Sequence, residues 1–139
     1  MSVEIILNGV SHDVPTNDEI DWGADVTGYL QDIADVLDGT FQTVTASTGS
    51  TAIDFNLGKN VRLLLNASTT LTFTHPRGGR PAYFYIKQGG SFTVTWPTIK
   101  WRGGSAPTIT TGSGKRDVVC LMYEPTDAVY LGEYAQNFA

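Results

Sequence analysis

Hydrophobic and polar positions alternate most regularly in the stretch between Thr69 and Trp101. A period of two, built from β-branched and aromatic residues, predicts strands with one buried and one solvated face. The Gly89-Gly90 pair can supply the positive φ angles that a tight hairpin turn needs. We therefore predict a β meander here, with strands at Thr69–Thr74, Ala82–Gln88 and Ser91–Trp96.

The rest of the chain after residue 40 predicts further short strands, which recur at intervals of about ten residues. Many short strands separated by turns rich in Gly and Ser are typical of an antiparallel β-sandwich, a jelly roll or a barrel. The apolar run from Val118 to Met122 further predicts a strand that is buried on both faces. The additional predicted strands are Phe41–Ala46, Thr51–Leu57, Val61–Asn66, Asp117–Glu124 and Ala128–Tyr134.

The first 40 residues predict a small hairpin followed by one amphipathic helix. Residues 3–14 place hydrophobic residues on both sides of Asn8-Gly9, which is a strong hairpin signal. A helix is predicted near residues 19–38 and ends at Gly39, although two internal glycines weaken it. We therefore expect this helix to depend on docking through its apolar stripe. The stripe comprises Trp22, Val26, Leu30 (or its neighbour Tyr29), Ile33 and Leu37.

The length of 139 residues and the hydrophobic fraction of 41% are ordinary for one folded domain with a small appendage. We divide the chain into an N-terminal hairpin-helix arm, residues 1–40, and a mainly β, sandwich-like or jelly-roll-like body, residues 41–139. Cys120 is the only cysteine, so an intrachain disulfide is excluded. The sequence has no signal-peptide pattern and no apolar stretch of roughly 20 residues, so neither secretion nor a membrane helix is expected.

The distribution of charge also changes near residue 40. Residues 1–40 contain nine acidic residues and no Lys or Arg, whereas all nine basic residues lie between Lys59 and Arg116. The two parts carry −9 and +4, which together give the net charge of −5. The charges either solvate two surfaces, or the acidic segment faces a basic surface on its own body, a sister subunit or a larger assembly. Nucleic-acid binding is not expected, because the basic residues form no dense run.

Residue types with catalytic or metal-binding potential are present, but their spacing does not suit chemistry. Ser11-His12-Asp13 contains the residue types of a catalytic triad, yet neighbours on one strand point to opposite faces. His12 and His75 are the only histidines, and neither lies in a cluster of Cys or His that could hold a metal. The sequence therefore predicts no enzyme, no catalytic or metal site and no cofactor.

Four aromatic residues form the one group that could bind a partner: Tyr83, Tyr85, Trp96 and Trp101. Aromatic rings on an exposed sheet face can anchor a protein interface or stack on sugar rings. The alternative is that the two tryptophans fill the core or pack under the Gly/Ser/Thr-rich segment of residues 103–114. If the rings are exposed, a subunit interface is the better interpretation than a sugar site.

Two parts of the sequence resemble known proteins. The opening ILNGVSHDVPTNDEIDWGADVTGYLQDIADVL is similar to the start of many small virion proteins of tailed bacteriophages. The segments LTFTHPRGG, IKQGGSFTVTWPTIKWRGGSAPTIT and YLGEYAQNFA resemble the β domain of phage appendage proteins, including fibres and capsid decorations. The resemblance implies a virion protein, assembled in the bacterial cytoplasm, and a homotrimer. It carries over no active-site residue.

Together, the patterns and the resemblance give two hypotheses. The leading one is a non-enzymatic capsid decoration (cement or head-fibre) protein, with the helix stripe contacting the major capsid protein, another virion protein or a sister subunit. The alternative is a short tail fibre or receptor-binding tip that recognises a host surface glycan through Tyr83, Tyr85, Trp96 or Trp101. A depolymerase is disfavoured, because the sequence offers no pair of carboxylates for a cleft.

Overall fold

The computed structural model describes residues 3–7, 10–14, 41–76, 78 and 81–139, and it is built from strands. The helix predicted near residues 19–38, with its stripe, lies outside these ranges. The strands are β1 (Val3–Leu7), β2 (Val10–Val14), β3 (Phe41–Ala46), β4 (Ser50–Asp54), β5 (Asn60–Leu65), β6 (Thr69–Thr74), β7 (Ala82–Gln88), β8 (Val94–Thr95), β9 (Lys100–Trp101), β10 (Arg116–Glu124) and β11 (Val129–Phe138).

The first two strands form an antiparallel pair. Val3 lies opposite Val14 and Leu7 lies opposite Val10, so two residues join the strands. This is the register that a two-residue link between alternating strands favours.

The remaining strands form two sheets, and the chain passes from one to the other. One sheet has six strands in the order β3-β5-β7-β10-β11-β9, and the other has three in the order β4-β6-β8. Strands β3 to β8 therefore trace three turns of a coil, in which each turn gives one strand to each sheet. Neighbouring turns pair in parallel, and only β7-β10 and β10-β11 in these two sheets are antiparallel.

The predicted meander, and with it an all-antiparallel body, is wrong. Strands β6 and β7 lie in different sheets, and β6 pairs in parallel with β8 instead of meeting β7 in a hairpin. The alternation correctly predicts which residues share one face of a strand. A period of two is, however, the same for parallel and antiparallel strands. It therefore carries no information on pairing.

Gly89 has a different role from the hairpin turn predicted for it. Its N–H donates to the Leu65 carbonyl oxygen at 2.8 Å, where the chain leaves β7 beside the end of β5. A Cβ at this position would lie 2.5 Å from that same oxygen, closer than any side chain tolerates. Glycine is required here by the close approach of two backbones as the chain crosses between sheets.

The core lies between the two sheets. Leu63 and Ile86 of the six-stranded sheet are fully buried in one cluster with Ile53 and Leu71 of the three-stranded sheet. Strand β10 alternates between buried and partly exposed residues, so the prediction of a strand buried on both faces is wrong. The unbroken apolar run concealed this alternation, because the positions facing away from the core carry apolar side chains as well.

Two predicted strands are shorter than expected because side chains redirect the backbone. The strand predicted at Thr51–Leu57 ends at Asp54, whose carboxylate accepts the Asn56 N–H at 2.9 Å and starts a 3₁₀ turn. In the predicted strand Ser91–Trp96 only Val94–Thr95 pairs. The buried Gln88 side chain holds the preceding segment by donating to the Phe92 carbonyl oxygen at 2.6 Å.

Candidate interaction face

The six-stranded sheet has one side that points away from the core, and we call it the outer face. Cross-strand registers place its side chains: Arg62 lies beside Tyr85, Lys87 beside Arg116, Tyr83 beside Cys120, and Met122 beside Leu131. The basic residues that we assign to this face are Arg62, Lys87, Lys100, Arg102 and Arg116, and its described acidic residues are Glu133 and, at the end of β10, Glu124.

Two arginines on the outer face are held by aromatic rings. The Arg62 guanidinium carbon lies 5.8 Å from the centroid of the Phe41 ring and 5.8 Å from that of the Tyr85 ring. The Arg116 Nε–H donates to the Tyr85 hydroxyl at 2.6 Å. Cation–π contacts at exposed sites each contribute about 0.5–1 kcal/mol. These contacts restrict the arginine side chains, so less conformational entropy is lost when they meet an anionic partner.

A groove of about 450 Å³ indents the outer face where β9, β10 and β11 meet. Its lining combines apolar side chains with charged ones: Pro81, Lys100, Trp101, Arg102, Cys120, Met122, Leu131, Gly132 and Glu133. Met122 is 48% exposed and Leu131 is 40% exposed, which is unusual for large apolar residues side by side. An apolar floor with cations at its edge suits an amphipathic, acidic partner.

The single cysteine lines this groove but is not set up as a nucleophile. Burial raises the pKa of the Cys120 thiol, and the Glu133 carboxylate raises it further, against a smaller opposing effect of a hydrogen bond with Tyr83. The thiolate is the reactive form, so a raised pKa keeps this thiol protonated and unreactive at neutral pH.

The structure does not bring the four predicted aromatic residues together on one surface. Tyr83 is 46% exposed on the outer face, and Tyr85 is half-buried beside it. The two tryptophans pack against the core, with their ring centroids 5.3 Å apart and Trp96 5.9 Å from Phe84.

Trp101 is fixed further by Gly132. A Cβ at position 132 would lie 2.7 Å from the Trp101 ring, so only glycine lets the ring sit against β11. One edge of Trp101 still lines the groove. Tyr83 is therefore the one of the four aromatic residues whose ring is largely available to a partner.

The outer side of the three-stranded sheet differs in chemistry, and we call it the threonine face. Its exposed residues are small and uncharged, and cross-strand registers place Thr70 beside both Ser50 and Thr95, and Thr72 beside Ala52. Beneath it, the buried Thr51 and Thr69 hydroxyls bond to each other at 2.8 Å. Apart from Asp54 at the end of β4, which pairs with His75, the described residues of this face offer neither charge nor large apolar area to a partner.

The other polar residues considered for chemistry have local structural partners. The His75 Nδ1 lies 2.8 Å from an Asp54 carboxylate oxygen in an exposed pair. Glu124 accepts the Asp127 N–H at 2.6 Å and the Thr126 N–H at 3.0 Å, and these two bonds lower the pKa of its carboxyl group. In the part of the chain that the structure describes, no group of three or more His, Cys, Asp or Glu is placed to hold a metal.

The buried carboxylate of Asp117 was not predicted from the sequence. Asp117 is 1% exposed and accepts hydrogen bonds from the Thr110 N–H at 2.6 Å, the Thr110 hydroxyl at 2.8 Å and the Asn137 N–H at 2.8 Å. It thereby ties the segment before β10 to the end of β11. An acid directly before an apolar run was the available signal, although it does not identify the partners.

Comparison with protein-family models, with curated proteins and with solved structures finds no match. The helices within the described ranges include none that is long and apolar enough to cross a membrane. The two faces of the body and the sequence of the arm are therefore the features that bear on function.

Proposed function

We propose that this chain is a non-enzymatic structural protein of a tailed-bacteriophage virion, a homotrimer that decorates the capsid surface. Residues 1–40 are the arm that docks onto the capsid or a sister subunit through Trp22, Val26, Leu30, Ile33 and Leu37. Residues 41–139 form a sandwich-like body that projects outward. The resemblance of the sequence to phage appendage proteins supports the virion location.

The composition of the outer face is the observation that supports a role in assembly. It combines arginines held by aromatic rings with exposed apolar side chains, which is the composition of a protein interface. The whole chain is acidic, with a net charge of −5, so a polyanion such as nucleic acid is a poor partner. A protein surface with acidic and apolar residues fits both features of the face.

The decisive experiment is to count copies of the chain in purified phage particles by quantitative mass spectrometry. Hundreds of copies support decoration, and a handful supports a tail appendage. Light scattering of the purified chain tests the trimer, which is expected at three times the chain mass of 15.0 kDa. Replacing Val26 and Ile33 by Asp should reduce occupancy on particles, and unchanged occupancy would remove the helix stripe from the contact.

The exposed Tyr83 beside the groove favours a second candidate, a receptor-binding tip that recognises a host glycan. An exposed aromatic ring next to polar groups is a suitable platform for a sugar ring. Glycan-array binding that disappears on Tyr83→Ala would support this function. Tyr83→Ala is a cleaner variant than Trp101→Ala, because Trp101 packs against the core and its loss would also lower stability.

A further inference from the structure

The part of the outer face formed by β3, β5 and β7 lies next to the point where the arm enters the body. Phe41 is the first residue of β3, and its ring is 45% exposed beside Arg62. Leu64 and Tyr85 are half-buried on the same side, and Lys87 is exposed. This part of the face therefore combines an apolar surface with two cations, and we call it the proximal patch.

Chain connectivity restricts where the predicted helix of residues 19–38 can lie. Only Gly39 and Thr40 separate it from Phe41. A link of this length lies at the short end of the usual range of about 2–6 residues, and it keeps the C-terminal end of the helix close to the start of β3. The inner side of β3 packs against the core through Val44 and Ala46, so the outer side and the free edge of β3 remain. Of these two, the outer side carries the exposed Phe41 ring and the Arg62 side chain.

Charge supports the same placement. Asp35 and Asp38 fall in the last turn of the predicted helix, where the negative end of the helix dipole disfavours acids. Arg62 lies on β5, the neighbour of β3, and Lys87 lies on the next strand, β7. A helix on this side of the sheet would bring its last turn toward these cations, which would relieve its unfavourable charge.

We infer that the helix of residues 19–38 docks on the proximal patch of its own body, with Arg62 and Lys87 facing Asp35 and Asp38. Leu30, Ile33 and Leu37 of the apolar stripe then cover the patch around Phe41 and Leu64. The inference rests on the proposed function for the identity of the arm, and it deepens that function by dividing the stripe. Leu30, Ile33 and Leu37 meet the chain's own body, and Trp22 and Val26 are left for the capsid or a sister subunit. The groove near β9 stays available to the partner.

The test is hydrogen–deuterium exchange of the full chain at low salt, read on peptides from residues 19–38. A helix of this length with two glycines is marginal alone, so protection of its amides reports docking. In the variant R62E/K87E these amides should exchange at least about tenfold faster, because docking is lost. The matched control K100E/R102E carries the same change in charge at the other end of the outer face and should leave protection unchanged.

Further readouts separate the possible explanations. Protection of the β5 and β10 amides shows that each variant is folded. Replacing Asp35 and Asp38 by Lys should remove protection of residues 19–38, and combining that change with R62E/K87E should restore it. Unprotected wild-type amides, or protection that weakens on dilution as expected for docking between chains, would overturn the inference. The mass in solution tests the proposed trimer separately, so the two ideas can fail independently.

Discussion

The two outer sides of the body are built on the same core but carry different chemistry. The outer face of the six-stranded sheet presents arginines, lysines, Tyr83 and Met122, whereas the threonine face presents small uncharged residues such as Thr70 and Thr72. Both sides arise from the same alternation of buried and exposed positions. The comparison teaches that alternation decides which residues point outward, and that the identity of those residues decides which side can meet a partner.

The largest expected effect is the loss of stability when a side chain is truncated in the core that both sheets share. Ile86→Ala beneath the outer face and Ile53→Ala beneath the threonine face should each lower the free energy of unfolding by about 2–5 kcal/mol, because each leaves a cavity in the common core. Urea denaturation measures both. If Ile53→Ala left stability unchanged, the three-stranded sheet would not be packed on the core as described, and the comparison would lose its basis.

The second prediction compares particle binding by variants of the outer face and of the threonine face. The variant K100E/R102E at the groove should weaken binding to the particle surface by about tenfold or more, or about 1.4 kcal/mol, because it reverses the charge that an acidic partner meets. The matched variant T70E/T72E places the same number of acids on the threonine face and should bind normally. Occupancy on particles, measured by quantitative mass spectrometry, checks both, and equal losses would contradict the assignment of the outer face.

A pH experiment examines the point where the two sheets meet. The Tyr130 ring centroid lies 5.3 Å from that of Phe73 and 4.8 Å from that of Tyr123, and burial together with Tyr123 raises the pKa of Tyr130 to about 12. A tyrosine whose pKa is raised by folding stabilises the fold fully below its unfolded value near 10.

That contribution of Tyr130 should be lost as pH rises from about 10 to 12. Tyr130→Phe should therefore flatten the alkaline fall in stability, measured by urea denaturation at several pH values. At neutral pH its cost should be below about 1 kcal/mol, because the buried hydroxyl has no hydrogen-bond partner among the described residues. An unchanged alkaline profile would show that another group controls this pH range.

The smallest effect is expected at the edge of the groove. Arg102 and Glu133 form an ion pair at 3.4 Å with both side chains largely exposed. Such pairs contribute about 0–1 kcal/mol, and salt screens them further. Glu133→Gln should therefore leave the melting temperature nearly unchanged while it makes the groove more basic. A large loss of stability would mean that the pair has a structural role that its exposure does not suggest.

The sequence predicted individual strands well and their partners poorly. The bounds of β3, β6 and β7 are those expected from the alternation, since burial of every second residue is a local property. Pairing is not local, because it depends on where the chain crosses between sheets. Gly89 illustrates this: its sequence neighbourhood indicates a hairpin, and only the proximity of Leu65 reveals the crossing.

The residues of the candidate interaction face were likewise predicted only where local alternation decides their exposure. Tyr83 was predicted as a possible contact and lies exposed, but Trp96 and Trp101 turn inward at the corner after β8, which alternation alone does not reveal. Met122 was assigned to a fully buried strand, because an apolar residue on an exposed side looks the same in sequence as one in a core. The helix stripe and its docking remain predictions that the experiments above can decide.

The coiled path of β3 to β8 has a consequence for the length of the body. Within β3 to β8, strands of one turn pair with those of adjacent turns, and only the last turn also meets β10, so the cross-section is independent of how many turns are stacked. Duplication of residues 60–81 would add one strand to each sheet without a new kind of core. A lineage of such chains could thus grow or shorten by whole turns while the closing strands β10 and β11 stay the same.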